Sequence, residues 1–133
     1  MESYEDKMKF FKKNEYDVEK RAKELHGKLG KTTQEKTTTS VGFTEEKIGI
    51  IGSSEGRLRK TVKKGLYDFE IEAKGKPGKH AEEYVIEEAE NKKLTTTEIA
   101  ASRPICIDCQ IIIEQKDIKT ETPFSGKKSK KRK

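Results

Sequence analysis

Long apolar runs are missing from this sequence. No stretch approaches the roughly 20 apolar residues needed to span a bilayer, and the first residues, MESYEDKMK, lack the apolar segment of a signal peptide. Hydrophobic residues make up only 30% of the 133 positions, which leaves room for one compact domain with a small core. These absences predict a soluble chain with no membrane partner.

Cysteine and histidine are also scarce. The two cysteines, Cys106 and Cys109, are three positions apart, which excludes a framework of several disulfide bridges. Such a pair can be a dithiol redox motif, half of a metal site or two incidental thiols. The histidines are His80 and His26, and we expect His26 to be exposed near the end of the first helix.

The net charge of +6 comes from the end of the chain. Residues 127–133 supply six positive charges and no negative one, so residues 1–126 sum to zero. A basic tail is commonly a solvated end, and we predict that residues 125–133 are disordered. The tail would add nonspecific affinity for phosphate. A second excess of basic residues, from 57 to 79, directly precedes the first motif described below.

Apolar periodicity predicts a mixed α/β domain. Residues 1–36 are predicted to be an amphipathic helix, closed by Gly30, and a linker. The domain of residues 37–124 is predicted to contain a hairpin (40–43 and 48–51), a short basic helix (57–64), a strand (67–71), a helix from His80, a strand (94–101), a helix from Pro104 to about Gln115 and a last strand (119–124). This order predicts an α/β sheet with helices in two or three layers.

Two motifs carry the chemistry. HAE at 80–82 opens one predicted helix, and PICIDC at 104–109 opens the next. Catalytic zinc takes three protein ligands and keeps a fourth position for water, which His80, Cys106 and Cys109 would satisfy. Cysteines at i and i+3 in a first helical turn project to one side, where the helix end favours thiolates. We expect His80 at the cap position, since residues two apart on an ideal helix point to nearly opposite sides.

Together the motifs resemble the signature of the cytidine deaminase superfamily, H-x-E followed by P-C-x-x-C. The sequence is similar to compact deaminase domains of bacterial polymorphic toxins, a group that includes the YwqJ-like deaminases, over about residues 37–124. The segments that carry the likeness are SSEGRL at 53–58, GKPGKHAE at 75–82 and ASRPICIDC at 101–109. The resemblance implies a three-layer α/β/α sandwich with a mixed sheet of about four or five strands. Ile105 departs from the pattern by separating Pro104 from Cys106.

The resemblance implies zinc-dependent hydrolytic deamination of cytosine to uracil in nucleic acid, with single-stranded DNA favoured. Glu82 would take a proton from water and pass it to the base and the departing amine. Five further residues are predicted to bind substrate: Arg57, Arg59, Lys79, Ser102 and Arg103. The resemblance also implies a secreted or delivered bacterial toxin module that acts in the target-cell cytoplasm and is neutralised by an immunity protein.

Three alternatives remain open. The deaminase could act on RNA, adenine or free nucleotides. Cys106 and Cys109 could instead form a redox dithiol or a structural zinc site, with HAE incidental. The chain could also be a noncatalytic nucleic-acid-binding module carried by its lysine tail. Metal content, turnover and deletion of residues 127–133 distinguish these functions.

Overall fold

A computed structural model gives the fold of residues 16–76 and 78–125. Its elements in chain order are α1 (Val18–His26), α2 (Lys31–Lys36), β1 (Thr39–Thr44), β2 (Gly49–Ser53), α3 (Lys60–Lys63), β3 (Glu70–Glu72), α4 (Ala81–Asn91), β4 (Thr96–Ala101) and α5 (Ile107–Gln115). The predicted order of strands and helices between residues 40 and 115 is confirmed, with element ends that differ by a few residues. No helix in the described ranges is long and apolar enough to cross a membrane.

The strands form one mixed sheet in the order β3-β2-β1-β4. Strand β1 is antiparallel to both β2 and β4, and β3 is parallel to β2. Strands β2, β3 and β4 therefore point the same way. Their last residues, Ser53, Glu72 and Ala101, lie at one edge of the sheet, which we call the carboxyl edge.

A full strand predicted at 119–124 is absent. This segment follows β4 through two isolated parallel bridges, Glu98 with Lys119 and Ile105 with Phe124. Between them the Ala101 N–H bonds to the hydroxyl of Thr122 (3.1 Å) instead of to a backbone carbonyl. A side-chain oxygen thus accepts the hydrogen bond that a backbone carbonyl would accept in a regular strand pair, and this interrupts the pairing.

Helices cover both faces of the sheet. Ile50 in β2 packs with Val85 of α4 and Ile113 of α5, whereas the neighbouring Ile51 packs with Leu25 of α1. Adjacent strand residues point to opposite faces, so two fully buried isoleucines in succession indicate a sheet with a core on each side. The fold is a three-layer α/β/α sandwich, as predicted.

The N-terminal part differs from the prediction. Helix α1 ends at His26, where Gly27 is the cap, while Gly30 begins α2 within the stretch expected to be a linker. His26 is half-buried rather than exposed, because its ring nitrogens bond to the Gln34 carbonyl and the Thr39 hydroxyl, each at 2.9 Å. The predicted helical residues before position 16 and the tail from 126 to 133 lie outside the described residues.

Candidate metal centre

His80 is the N-cap of α4, as predicted. Its backbone is extended (φ −84°, ψ 156°), and its N–H donates to the Glu83 carboxylate (3.1 Å). In return the Glu83 N–H donates to the His80 carbonyl (3.0 Å). The cap pairs backbone groups that a helix start leaves without partners. Because the cap residue itself is not helical, the direction of the His80 side chain is not set by the helical geometry that orients Glu82.

The two cysteines lie at the start of α5, but Cys106 precedes the helix instead of lying within its first turn as predicted. Cys106 is the N-cap and Cys109 is the third helical residue, since the helix begins at Ile107 rather than near Pro104. Ile105 stays extended because its N–H bonds to the Pro123 carbonyl and its own carbonyl bonds to the Ser125 N–H, each at 2.8 Å. Both cysteines are buried.

The three predicted ligands come together. His80 Nδ1 lies 3.0 Å from Cys106 Sγ and 3.2 Å from Cys109 Sγ, and all three donor atoms lie within 4.8 Å of one another. Tetrahedral zinc with ordinary bond lengths would separate nitrogen from sulfur by about 3.6 Å. A small rotation of the side chains removes the difference of about 0.5 Å. One imidazole and two sulfurs are a donor set that suits zinc, so these residues fit a metal ion.

Glu82 is the second residue of α4 and is buried beside this cluster. Burial raises the pKa of its carboxyl group to about 7, although hydrogen bonds to its own backbone and to the Cys109 thiol act in the opposite direction. The charge of Glu82 acts on Cys109, so the carboxyl group lies near a predicted ligand. A carboxyl group that titrates near neutrality can both accept and return a proton.

Burial also raises the pKa of the Cys109 thiol, and the charges of Glu82 and Cys106 raise it further. A redox-active cysteine needs the opposite shift, because the thiolate is the nucleophile. A bound cation would favour the thiolate, since metal binding and deprotonation are coupled. The raised pKa of Cys109 therefore counts against a dithiol redox motif.

Ser102 and Arg103, predicted to contact substrate, make contacts within the protein at the carboxyl edge. The Ser102 hydroxyl accepts from the Thr39 N–H (2.9 Å), and the Ser102 N–H donates to the Thr39 carbonyl (2.8 Å). Arg103 donates to the Gln34 carbonyl (3.0 Å). These bonds hold β1 and α2 against the turn that leads to the cysteines.

Two of the other residues predicted to bind substrate form ion pairs at the surface. Arg59 makes a two-point contact with Glu55 (2.8 and 2.9 Å), and Lys79 pairs with Glu87. Arg57 is exposed and lines a surface cleft. Exposed pairs exchange readily with other anions because they are weak in water.

Tyr84 is a positioning residue that the sequence did not indicate. It is 1% exposed, its hydroxyl donates to the Lys76 carbonyl, and the Lys79 N–H donates to that hydroxyl (3.3 Å). The ring also packs so closely on Gly75 that a Cβ there would lie 2.6 Å from it. Tyr84 thereby ties α4 to the loop before His80. Helical spacing predicted burial of this residue but could not reveal the partners of its hydroxyl.

Comparisons with known proteins give no assignment. No protein-family model matches the chain, and neither curated proteins nor solved structures give a match.

Proposed function

We propose that the protein is a zinc-dependent hydrolase that deaminates cytosine to uracil in nucleic acid, with single-stranded DNA as the first candidate substrate. The observation that carries this proposal is the convergence of three metal-binding atoms at the starts of two helices, with the buried carboxyl group of Glu82 near Cys109. A structural zinc site is usually closed by four protein ligands. Here three ligands are supplied by His80, Cys106 and Cys109, and Glu82 lies next to them.

Each residue has a distinct role in the proposed reaction. Zinc held by the three ligands would act as a Lewis acid that lowers the pKa of water from 15.7 to about 7. The Glu82 carboxylate accepts one proton from the attacking water and passes it to the ring nitrogen, then carries the second proton, from the hydroxyl group added to the carbon, to the departing amine. Water adds to the amidine carbon, ammonia leaves and a carbonyl remains, so the atoms balance.

The accessible base must be unpaired, because the reacting carbon cannot be reached within a stacked duplex. This requirement supports a single strand as the substrate, and the basic residues near the carboxyl edge support a polyanion. The wider proposal of a delivered bacterial toxin, active in the target-cell cytoplasm and neutralised by an immunity protein, rests on the sequence resemblance alone.

The decisive experiment pairs turnover with metal content. Zinc-loaded protein is incubated with single-stranded and double-stranded DNA and RNA, and the products are sequenced for C-to-U and A-to-I changes. We expect Glu82→Gln to keep one zinc per chain but to lose turnover by a factor of about 100 or more, the usual contribution of a general acid–base group. Glu90→Gln, an exposed position on the same helix, is the matched control and should retain both properties.

Cys106→Ala tests whether the proposed activity depends on the metal centre. It should lose zinc and activity together, because two ligands do not hold catalytic zinc. Retained zinc in this variant, or full turnover by Glu82→Gln, would contradict the proposal. Bound zinc without turnover of any base would indicate a structural site. Release of ammonia from free cytidine, with unchanged nucleic acid, would move the substrate to the nucleotide pool.

A further inference from the structure

A positively charged cleft of about 520 Å³ lies at the carboxyl edge of the sheet. We call it the basic cleft, and it is lined by Glu55, Gly56, Arg57, Lys63, Lys74 and Gly75. A neighbouring cleft of about 450 Å³ shares Glu55, Arg57 and Lys63 and extends over the start of α3. The two clefts therefore lie side by side around the same two cations.

The basic cleft and the metal centre lie at the same edge of the sheet. The turn that contains Gly56 follows β2, and Gly75 follows β3, so both stand where the parallel strands end. The Gly75 N–H bonds to the Gly56 carbonyl (3.0 Å). Gly56 has φ +88°, and a Cβ there would lie 2.8 Å from the Gly75 carbonyl oxygen, so this close approach requires glycine. From Gly75 the chain continues to His80 through the loop that Tyr84 holds.

The cations of the basic cleft outnumber their acidic partners. Lys63 and Lys74 share one carboxylate, that of Glu72, at 3.3 and 3.7 Å. Glu55 is paired with Arg59, and none of the ion pairs found among the described residues involves Arg57. The three cations that line the basic cleft, counted together with Arg59 of the neighbouring cleft, exceed the carboxylates of Glu55 and Glu72 by two, and the side chains of Arg57, Lys63 and Lys74 are exposed to solvent.

We infer that the basic cleft binds the phosphodiester backbone of the strand whose base enters the metal centre, an inference that rests on the proposed function. A groove of cations beside a base pocket is how proteins follow a single strand without reading its sequence. A free nucleoside has no phosphate for the cleft, and a nucleotide has one such group. Two positive charges in excess, at the same edge of the sheet as the metal centre, suit consecutive phosphates of a polymer.

Binding of a labelled single-stranded DNA of about 15 nucleotides, and of the same sequence as RNA, tests the inference. The protein is the full zinc-loaded chain with Glu82→Gln, which prevents turnover. In the variant that we call the cleft variant, serine replaces Arg57, Lys63 and Lys74 together. The matched control has serine in place of Lys20, Lys23 and Lys36, which are exposed positions on α1 and α2. It loses the same number of positive charges, so both variants have the same net charge. Affinity is measured by fluorescence anisotropy at several salt concentrations, and cytidine monophosphate is measured as a competitor.

We expect the cleft variant to bind the oligonucleotide at least about tenfold more weakly and its salt slope to fall by about 1.4, the value for two phosphates of a single strand. The control should change affinity by less than about twofold. Arg57→Ser alone should lower the slope by about 0.7, which keeps the test valid if the triple variant folds poorly. A stronger effect on DNA than on RNA, or the reverse, identifies the polymer.

Equal losses in the cleft variant and the control would overturn the inference, because net charge alone would then explain binding. An equal loss of affinity for cytidine monophosphate would also overturn it, since the cleft would then hold the phosphate of a free nucleotide. Failure of the proposed function gives a different result: absence of deamination with a specific loss in the cleft variant rejects the enzyme but supports the binding surface.

Discussion

Hydrogen-bond partners fix the tautomer of His26. The Gln34 carbonyl can only accept, so Nε2 of His26 carries the proton and Nδ1 accepts from the Thr39 hydroxyl. Burial lowers the pKa of His26; the Gln34 bond opposes this shift, and the nearby charge of Arg103 adds to it. The folded protein therefore favours the neutral imidazole, and protonation acts against the junction of α1, α2 and β1.

This arrangement predicts a stability that depends on pH. The unfolded chain binds a proton at His26 near pH 6.5, above the pKa of the folded state. The stability that the neutral His26 ring contributes is therefore fully present above that pH and is lost as the pH falls through the pKa of His26 in the folded state. Between about pH 7.5 and pH 5, the protein should lose more unfolding free energy than His26→Gln, which keeps polar groups but does not titrate. Urea unfolding at several pH values measures this, and parallel curves would contradict the assignment.

At the scale of the element, helix α4 is seated directly on sheet backbone. A Cβ on Gly42 of β1 would lie 2.5 Å from Val85 Cγ1, and one on Gly52 of β2 would lie 2.8 Å from the Ala81 carbonyl oxygen. Ala81 lies between His80 and Glu82. The small residues in the sheet thus set how closely the start of α4 approaches, and with it the position of a predicted ligand and the predicted proton carrier.

Gly52→Ala should therefore disturb stability and metal binding together. The added methyl group meets backbone, which cannot rotate away, so we expect a loss of about 1–3 kcal/mol in unfolding free energy and faster removal of zinc by a chelator. Gly30→Ala is the matched control, because nothing lies within 4 Å of a Cβ there. Urea unfolding and chelator competition test the pair. Equal behaviour of the two variants would show that α4 can move without consequence for the site.

A buried ion pair connects α1 to strand β3. Arg21 donates twice to the Glu70 carboxylate (2.7 and 2.8 Å) and once to the Gly65 carbonyl (2.6 Å). Tyr16 also donates to Glu70, and the Arg21 guanidinium lies 3.8 Å from the centre of the Tyr67 ring. The carboxylate is completely inaccessible to solvent, so its charge depends on these partners.

Arg21→Leu should destabilise the protein by about 3–5 kcal/mol, because it leaves a buried carboxylate without its cation. Arg59→Leu removes an arginine from a two-point pair of similar geometry at the surface and should cause no comparable loss. Denaturant unfolding of both variants measures the contrast. If the two midpoints shifted by the same amount, burial would not determine the strength of the Arg21 pair.

At the scale of the whole molecule, local periodicity predicted most of the architecture. The hairpin, the start of α4 at His80 and the alternation of strands with helices follow from patterns within a few residues. The cap position of Cys106 could not be predicted, because Ile105 is kept extended by residues 123–125, which are distant in sequence. The partners of Ser102 and Arg103 are likewise set by tertiary packing, whereas Arg59 pairs with Glu55, four residues earlier in the sequence. The convergence of the three ligands was predicted from the resemblance of the paired motifs to the deaminase signature, not from local periodicity.

The end of the described chain is integral to the fold. Ile118 is buried, and the Thr122 hydroxyl donates to Glu19 (2.8 Å) while it accepts from the Ala101 N–H. The Ser125 N–H bonds to Ile105, next to Cys106. These contacts connect α1, β4 and the turn before the ligands. The basic residues that give the chain its net charge lie outside the described residues.

Removal of residues 126–133 should therefore leave zinc content, thermal stability and turnover at saturating substrate unchanged, while the affinity for nucleic acid falls and depends less on salt. Removal of everything after Glu121 should lower the melting temperature and release zinc, because it eliminates Thr122 and the bridge that holds Ile105 extended. Zinc analysis, thermal unfolding and deamination assays on the two truncations test both expectations. Loss of all activity in the shorter deletion, with zinc retained, would place the function in the tail and reject a catalytic role for the folded domain.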